Sequence, residues 1–392
     1  MRDAVVVVGF ARTAMGGMQG VFASVPAPSL GASAISGALA DAKVSADQVD
    51  EVLMGCVLSA GLGQAPARQA SLAAGIPVSV PTTAVNKVCG SGMKTVIIAN
   101  NALIAGNVDV VVAGGMESMT LAPYMLDKAR AGFRLGHGEI YDHMFLDGLQ
   151  DAYGGELMGN YAEATAEKYG FSRAMQDAFA IESLSRANKA IAEGWFEREI
   201  TPVTVRGRKG DTVVSVDELP GNARPDKIPS LKPAFKKDGT VTAANSSSIS
   251  DGAAALVLMR ERDAIAKKLK PIARICGFAE HAQEPEWFTT APVGAVKKLL
   301  EINNWSANDI DLFEVNEAFS VVTLAAMHEL ALDHQKVNVH GGACALGHPL
   351  GTSGARVLVT LMAALQTHNK KRGLAALCIG GGEGIAMGVE LL

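Results

Sequence analysis

The sequence has no CxxC pair, no long apolar run and no basic field, and each absence disfavours a class of protein. The five cysteines are widely separated: Cys56, Cys89, Cys276, Cys344 and Cys378. Such spacing suits neither a disulfide framework nor a zinc site made of thiolates. Thiols without disulfide partners predict a reducing compartment, which we take to be the cytoplasm.

Membrane and nucleic-acid roles are also disfavoured. No run of about 18 consecutive apolar residues occurs, so hydropathy predicts no transmembrane helix. The apolar run 4–10 is short and is followed by Arg12, which indicates a buried strand rather than a signal peptide. A net charge of −5, from 35 Lys and Arg against 40 Asp and Glu, supplies no basic surface for a nucleic acid. We therefore expect neither a membrane nor a nucleic acid as a partner.

The chain does have length and an alternation of strands with helices. Its 392 residues, 48% of them hydrophobic, are enough for two or three domains. Valine-rich runs at 5–9 and 108–113 predict buried strands, and the first is expected to be a central parallel strand. The alanine-rich stretch 30–42 predicts a helix. Together these patterns predict an α/β fold.

The middle of the chain differs from both ends. From about 121 to 248 the continuous valine runs disappear and Gly, Pro and charged residues increase, which predicts an inserted loop-rich domain. This segment contains a predicted helix pair, 159–169 and 173–193, and a predicted hairpin within 201–216. Ser172 is expected to cap the second helix.

The second half of the chain repeats the first. Three pairs of segments match in the same order: 45–52 with 306–313, 85–86 with 337–338, and 112–117 with 378–383. Two similar α/β halves with a shared site at their junction are therefore predicted. The predicted domains are the first half, the insert and the second half: 1–120 with 249–270 returning to it, 121–248, and 271–392.

Cys89 lies between a short apolar run and two glycines, Gly90 and Gly92, and a predicted helix follows over 94–105. A cysteine just before a helix N-terminus meets unpaired N–H groups and the positive end of the helix dipole. Both favour the thiolate, which is the nucleophilic form of cysteine. The alternative is a small buried core cysteine.

His348 lies in a glycine-rich loop, 341–351, before a predicted helix at 353–365. A polar side chain on such a loop is presented to a site rather than buried, although it can also cap the following helix. Metal binding by His340, Cys344 and His348 would need a regular helix across this loop. We therefore predict no metal site.

Cys378 follows a predicted strand and precedes the glycine run 380–384. A closing strand rather than a helix follows, so the dinucleotide-binding fingerprint is not matched. Adjacent glycines, Gly380 among them, can instead let a substrate carbonyl oxygen approach backbone N–H groups. Asn316 follows another strand and is predicted to open a helix, where its amide points into a cleft, caps the helix, or does both.

Five segments resemble the motifs of the thiolase family and together span the chain: 12–14, 86–92, 316–319, 341–351 and 378–382. The resemblance implies the thiolase fold, in which two similar βαβ-type halves form a layered αβαβα arrangement with an inserted loop domain. Within the family the chain is most similar to the biosynthetic members, through the segments 239–247 and 251–254.

The resemblance also implies a mechanism. Cys89 attacks the thioester of acetyl-CoA while His348 accepts its proton, and an acetyl-enzyme forms. Cys378 then removes a proton from a second acetyl-CoA, whose enolate attacks the acetyl group to give acetoacetyl-CoA. His348 and a water held by Asn316 stabilise the enolate. The backbone N–H groups of Cys89 and Gly380 hold the tetrahedral intermediate.

For coenzyme A, the resemblance implies eight contact residues: Leu149, Met158, Arg224, Phe235, Ala243, Ser247, Ala318 and Phe319. Leu157 stands where many acetoacetyl-CoA-specific members have a histidine, which bears on acyl-chain preference. No cofactor beyond the CoA thioester substrates is implied, and the family forms homotetramers or homodimers. Two alternatives stay open: a broader 3-ketoacyl-CoA thiolase of fatty-acid degradation and a non-catalytic acyl-CoA-binding protein.

Overall fold

A ten-stranded β-sheet runs through both halves of the chain in the computed structural model, which describes residues 3–392. The strands of this sheet are β1 (Val5–Arg12), β2 (Gly16–Gly17), β3 (Glu51–Gly55), β4 (Thr82–Val85), β5 (Val110–Ser118), β10 (Ser250–Arg260), β11 (Ala273–Ala282), β12 (Leu312–Val315), β13 (Arg372–Ile379) and β14 (Glu383–Leu391). Two small hairpins pair β6 (Tyr124–Met125) with β7 (Tyr141–Asp142) and β8 (Val203–Val205) with β9 (Thr212–Val214).

Eleven α-helices accompany these strands in the described part of the chain. They are α1 (Ala27–Ala42), α2 (Pro66–Ala73), α3 (Ser91–Ala105), α4 (Met158–Tyr169), α5 (Arg173–Ala192), α6 (Glu218–Asn222), α7 (Glu261–Ala266), α8 (Ala291–Ile302), α9 (Ser320–Leu330), α10 (Ala343–Leu346) and α11 (Leu350–Thr367).

The sheet consists of two half-sheets joined by a narrow seam. Its strand order is β12-β13-β14-β11-β1-β10-β5-β3-β4, with β2 paired to β10. Strands from the first half therefore occupy one side and strands from the second half the other. The two half-sheets join where Val6 pairs with Arg274 and Val7 with Ala273.

The two faces of the first half-sheet contact different layers of helices, because successive strand residues point to opposite sides. Val111 belongs to a buried cluster with Met93 of α3 and Leu358 of α11. Its neighbour Val112 packs on the other face in a cluster with Ile35 of α1. The helices α3 and α11 thus form a middle layer and α1 an outer one.

The second half-sheet uses the same middle layer. Leu377 shares the buried cluster that contains α3 and α11, whereas the adjacent Ala376 packs with Val296 of α8. The predicted αβαβα layering is therefore confirmed.

One expectation about the sheet is wrong. The strand β1 was expected to be parallel to its neighbours, but it is antiparallel to both β10 and β11. Burial on both faces produced its uninterrupted valine run, and burial carries no information on strand direction. Parallel pairing occurs between β3 and β5, β3 and β4, and β12 and β13.

Most predicted elements of the middle segment are present. The helix pair appears as α4 and α5, and Ser172 accepts a hydrogen bond from the Met175 N–H at the start of α5, as predicted. The predicted hairpin is β8 with β9 and is shorter than expected.

The helix α11 begins at Leu350, three residues earlier than the predicted 353, because Pro349 suits the position just before a helix. The domain bounds themselves remain a prediction.

One helical stretch is apolar enough to resemble a membrane-spanning segment, although polar residues interrupt it. Val88–Ala105, which includes α3, has a mean hydropathy of 1.2 over 18 residues, enough on length and composition to cross a membrane. Of that stretch, 61% is buried inside the protein. The helix α3 is apolar because the two half-sheets cover it in the middle layer. A membrane span would have the same composition because lipid covers it.

A buried ion-pair network attaches the first strand to the middle segment. The Arg12 guanidinium has no exposed surface and donates to Glu199 at 2.5 Å and to Asp217 at 2.6 and 2.8 Å. Asp217 also accepts the Met15 N–H at 2.7 Å. A buried charge is tolerated only when it is paired and hydrogen-bonded, as these are.

Removing the arginine should be costly, because two buried carboxylates lose their counter-charge. We expect Arg12→Ala to lower the free energy of unfolding in urea by about 3–5 kcal/mol. The control is Lys297→Ala, which removes a more exposed pair, 3.4 Å from Glu329, and should cost less than about 1 kcal/mol. An Arg12→Ala protein as stable as the control variant would contradict this account.

Candidate active site

Cys89 lies in a tight turn between β4 and α3. The preceding Val88 has φ of 45°, a left-handed conformation that is rare for a β-branched residue. Gly90 is the residue before the first turn of α3, so Cys89 is at the predicted helix N-terminus. Its side chain is nearly buried, with the residue 9% exposed.

Close backbone packing brings this turn to the second half of the chain. A Cβ added at Gly92 would lie 2.6 Å from the Ala355 nitrogen, and one at Gly354 would lie 2.3 Å from the Met93 nitrogen. Only glycine at both positions lets α3 and α11 approach so closely. The start of α3, with Cys89, therefore lies beside the loop that precedes α11.

That loop carries His348. Gly341 and Gly347 adopt φ of 78° and 99°, which reverses the chain around the short helix α10. The Nδ1 of His348 is 2.5 Å from the Ser353 hydroxyl oxygen. The Ser353 hydroxyl donates its proton to the Pro349 carbonyl at 3.0 Å, so its oxygen accepts from the Nδ1–H of His348. We assign the proton to Nδ1 on this ground, which leaves Nε2 as a base.

Two observations agree with an unprotonated Nε2. This nitrogen is buried without a hydrogen-bond partner, and His348 lines a cavity of about 510 Å³. Burial and the nearby Arg356 guanidinium lower the pKa of His348 to about 3, so the imidazole is neutral at physiological pH. A neutral imidazole with a free nitrogen is able to accept a proton.

Asn316 touches the same histidine, but it does not cap a helix. The helix α9 begins at Ser320, four residues later than the helix that Asn316 was expected to open. The Asn316 Nδ2 is 3.4 Å from His348 Nδ1, and its Oδ1 accepts from Arg356 at 3.3 Å. The Arg356 contact orients the amide because a guanidinium can only donate.

The glycine run after β13 supplies a donor to Cys89. The backbone N–H groups of Gly380 and of Cys89 itself lie near enough to the Cys89 sulfur to lower its pKa. Burial outweighs them and raises the pKa of Cys89 to about 11. The backbone N–H groups therefore favour the thiolate, as expected from the sequence, but their effect on the pKa is the smaller one. Desolvation of the charged form exceeds the effect of the N–H groups.

Cys378 lies next to Cys89 but deeper. It was expected just after a strand, but β13 continues to Ile379 and includes it. The residue has no exposed surface. Burial, together with the proximity of Cys89, raises the pKa of Cys378 well above that of a free thiol. Both raised pKa values favour the neutral thiol over the thiolate at physiological pH.

A buried carboxylate holds the surrounding backbone. Glu117, at the end of β5, accepts N–H groups from Val57 at 3.0 Å, Leu58 at 3.1 Å and Gly351 at 2.8 Å. Burial raises the pKa of Glu117 to about 7. Because Gly351 is in the first turn of α11, Glu117 connects the first half of the chain to the end of the His348 loop.

A cavity of about 510 Å³ opens onto these groups. Its lining includes Cys89, His348 and Gly380, whereas Asn316 and Cys378 lie behind the wall with no exposed surface. Seven of the eight residues expected to contact coenzyme A line it: Leu149, Met158, Phe235, Ala243, Ser247, Ala318 and Phe319. The lining is largely apolar, as expected for a site that binds a pantetheine arm.

The eighth residue, Arg224, lines a neighbouring cavity of about 370 Å³ that also has Lys227 on its wall. The two cavities share Leu219, Ala243 and Ser248. They are thus contiguous, and the two cationic side chains are both on the second one.

Several residues of the site were not found from the sequence. Glu117, Ser353 and Arg356 act through buried contacts with the backbone, His348 and Asn316, which no local pattern predicts. Ser353 had a detectable signal, because it lies five residues after His348, within the first two turns of a helix that starts at Leu350.

The residues considered for a metal do not converge. The His340 Nε2 is 3.1 Å from the Nε2 of His368, and the Cys344 Sγ contacts the Glu317 carbonyl oxygen. Among residues 3–392 no group of three or more His, Cys, Asp or Glu side chains is arranged to hold a metal ion.

Comparison with known proteins gives a consistent result along the whole chain. Residues 5–262 match the family model for the thiolase N-terminal domain, and residues 269–391 match the one for the thiolase C-terminal domain. The chain is 51% identical over 389 residues to the acetyl-CoA acetyltransferase of Escherichia coli (strain K12), covering 99% of each chain.

Two solved structures are similar in fold as well. The Bacillus anthracis acetyl-CoA acetyltransferase has a TM-score of 0.97 and 40% identity, with 100% of this chain and 99% of that chain covered. The Ascaris suum Acat5 thiolase in complex with coenzyme A has a TM-score of 0.94 and 42% identity, with 99% and 100% covered.

The raised pKa of Cys89 predicts how the thiol reacts with iodoacetamide. Since only the thiolate reacts, the alkylation rate should rise about tenfold per pH unit from pH 8 to pH 10, below the pKa of about 11. Peptide mass spectrometry measures the rate at Cys89. The control Cys276→Ala, which removes a remote half-buried thiol, should leave this profile unchanged. A rate that is flat above pH 8 would show that Cys89 is already ionised.

Proposed function

The chain belongs to the thiolase family, and we propose that it is an acetyl-CoA C-acetyltransferase that condenses two acetyl-CoA molecules reversibly to acetoacetyl-CoA and CoA. It is an acyltransferase, as its relatives at 45–51% identity over nearly their full length are. One observation carries the proposal: a buried thiol, Cys89, and a neutral imidazole, His348, line the same apolar cavity, and a second buried thiol, Cys378, lies behind its wall.

The first half-reaction acetylates Cys89. Nε2 of His348 takes the Cys89 proton, and the sulfur attacks the thioester carbonyl of acetyl-CoA. The N–H groups of Cys89 and Gly380 stabilise the oxyanion that develops. As CoA leaves, Cys378 donates its proton to the departing thiolate. The site then holds an acetyl-thioester, a Cys378 thiolate and a His348 imidazolium, and the two charges stabilise each other.

The second half-reaction forms the carbon–carbon bond. The Cys378 thiolate removes a methyl proton from a second acetyl-CoA. The His348 imidazolium and a water held by Asn316 stabilise the enolate oxygen. The enolate carbon then attacks the acetyl group on Cys89, and the departing Cys89 thiolate takes its proton back from His348. All groups return to their starting protonation states, so the cycle is balanced.

The site also supports the assignment of the coenzyme A contacts. The apolar residues on the first cavity suit the pantetheine arm, and the Ser247 hydroxyl lies on the same wall. Arg224 and Lys227 on the contiguous cavity offer positive charge to the phosphates. The protein needs no cofactor in this scheme, because both reacting groups arrive as CoA thioesters.

Assembly and location are proposed more broadly. We propose a homotetramer or homodimer in the cytoplasm that takes part in lipid metabolism. Large apolar side chains on the segment around β6 and β7 are exposed, among them Leu135 at 97% and Tyr124 at 70%. Such a surface favours burial against a second copy of the chain. Light scattering of the purified protein measures its molar mass and so the number of copies.

The two half-reactions can be separated by mutation. Cys378→Ala should still take up one acetyl group from acetyl-CoA but should lose condensation and thiolysis by at least about a thousandfold. Cys89→Ala should lose both. Intact mass spectrometry measures acetylation, and absorbance of acetoacetyl-CoA measures thiolysis. Ordinary turnover of the Cys89→Ala protein would exclude the covalent mechanism, and the remote Cys276→Ala protein serves as the active control.

A second assay distinguishes the proposed acetyltransferase from a broader 3-ketoacyl-CoA thiolase and from a non-catalytic acyl-CoA-binding protein. Met158 favours a substrate with a short acyl chain. Its sulfur would lie 3.4 Å from a Cβ added at Gly380, so it narrows the cavity near Cys89, where the acyl group reacts. We expect thiolysis of acetoacetyl-CoA to exceed that of 3-ketohexanoyl-CoA by at least about tenfold in kcat/KM. Equal rates would favour the broader 3-ketoacyl-CoA thiolase, and binding of CoA without turnover of either substrate would favour the binder.

A further inference from the structure

An ion pair crosses between the two halves of the chain beside the Cys89 turn. The Lys87 ammonium donates to the Glu383 carboxylate and also lies 3.4 Å from Glu280. Lys94 holds the other oxygen of Glu280 at 2.7 Å. Both partners of the Lys87–Glu383 pair are partly buried, with side chains 20% and 39% exposed.

Each partner is attached to one side of the proposed oxyanion site. Lys87 precedes Cys89 by two residues, and Glu383 follows Gly380 by three residues as the first residue of β14. Gly380 itself packs against the Cys89 turn, since a Cβ added there would lie 3.9 Å from the Val88 Cγ1. This contact, and the effect of the Gly380 N–H on the pKa of Cys89, span the same boundary as the ion pair.

The backbone between Lys87 and Cys89 is strained. Val88 is held at φ of 45°, a left-handed conformation that is unfavourable for a β-branched residue. Bonds within the turn, from the Lys87 N–H to Ser91 at 2.8 Å and from the Val88 N–H to Asn86 at 3.0 Å, maintain its shape. Neither of them attaches the turn to the second half of the chain.

The glycine run opposite has open space beside one of its residues, Gly381. Gly381 and Gly382 have φ of 93° and 91°, and nothing lies within 4 Å of a Cβ added at Gly381. Gly382 is anchored on its far side, where its carbonyl accepts the Gln283 N–H at 2.8 Å. Glu383 is the charged side chain of this run that reaches the Cys89 turn.

We propose that Lys87 and Glu383 are positioning residues whose ion pair holds the Gly380 N–H on the Cys89 sulfur and maintains the strained turn at Val88. The proposal rests on the proposed function only in taking Cys89 as the nucleophile. Neither side chain lines the main cavity, so both act through the backbone rather than on the substrate.

The test compares Lys87→Met and Glu383→Gln with the conservative Lys87→Arg. For Lys87→Met we expect kcat of acetoacetyl-CoA thiolysis to fall by about 10- to 100-fold with KM within about twofold, because misplacement of a donor affects the transition state more than binding. The Lys87→Arg protein should retain most of the activity, since a guanidinium also reaches the carboxylate. Glu383→Gln should lose less than Lys87→Met, because an amide oxygen still accepts a hydrogen bond.

Alkylation of Cys89 gives a readout that does not need turnover. Loss of the Gly380 N–H contact removes a group that lowers the pKa of Cys89, so the alkylation rate at pH 9 should fall by about threefold or more in Lys87→Met. The matched control is Lys297→Met, which removes a surface ammonium from an ion pair with Glu329 and should leave both readouts unchanged.

The double variant Lys87→Met/Glu383→Gln separates a pair from two independent effects. If the two residues act together, its loss of kcat should not exceed that of Lys87→Met alone. Losses that multiply would overturn the proposal, and so would a Lys87→Met protein with lower thermal stability but unchanged kcat and alkylation rate. If wild-type protein forms no acetyl-enzyme while Lys87→Met still slows alkylation, the positioning role stands and the proposed function fails.

Discussion

The close approach of α3 and α11 is the constraint on which the site depends. Glycine at 92 and 354 lets the two helices meet at backbone distance in the middle layer. One helix begins just after Cys89 and the other just after His348, so their contact determines the distance between the proposed nucleophile and the proposed base. The half-sheets on either side cover this layer with apolar side chains, and the large buried cluster that results keeps the helices in place.

Burial at this junction shifts the pKa of each of the three proposed reacting groups. It raises the pKa values of Cys89 and Cys378 and lowers that of His348. All three shifts favour the neutral form, because a buried charge loses its hydration. A low-dielectric site also strengthens each hydrogen bond to a developing oxyanion, which explains how two backbone N–H groups suffice.

Charged residues hold the site from outside the apolar layer. Arg356 pairs with Glu314 at 2.7 Å and orients Asn316, while Arg12 attaches β1 to the middle segment through Glu199 and Asp217. Each of these buried charges has a partner of opposite charge, as its burial requires. The Lys87–Glu383 pair differs in that it is nearer to solvent and crosses the boundary at the strained turn.

The sequence by itself determined the layered α/β fold, the internal repeat and the segments that carry Cys89, His348, Cys378 and Gly380, because local periodicity and short motifs encode them. Only the tertiary structure decided the direction of β1, since burial on both faces looks the same in either direction. It also decided that Cys89 is a thiol at rest, because desolvation depends on what the other half of the chain places around the sulfur. The contacts of Ser353, Glu117 and Glu383 arise from close packing between residues far apart in sequence, which no local pattern records.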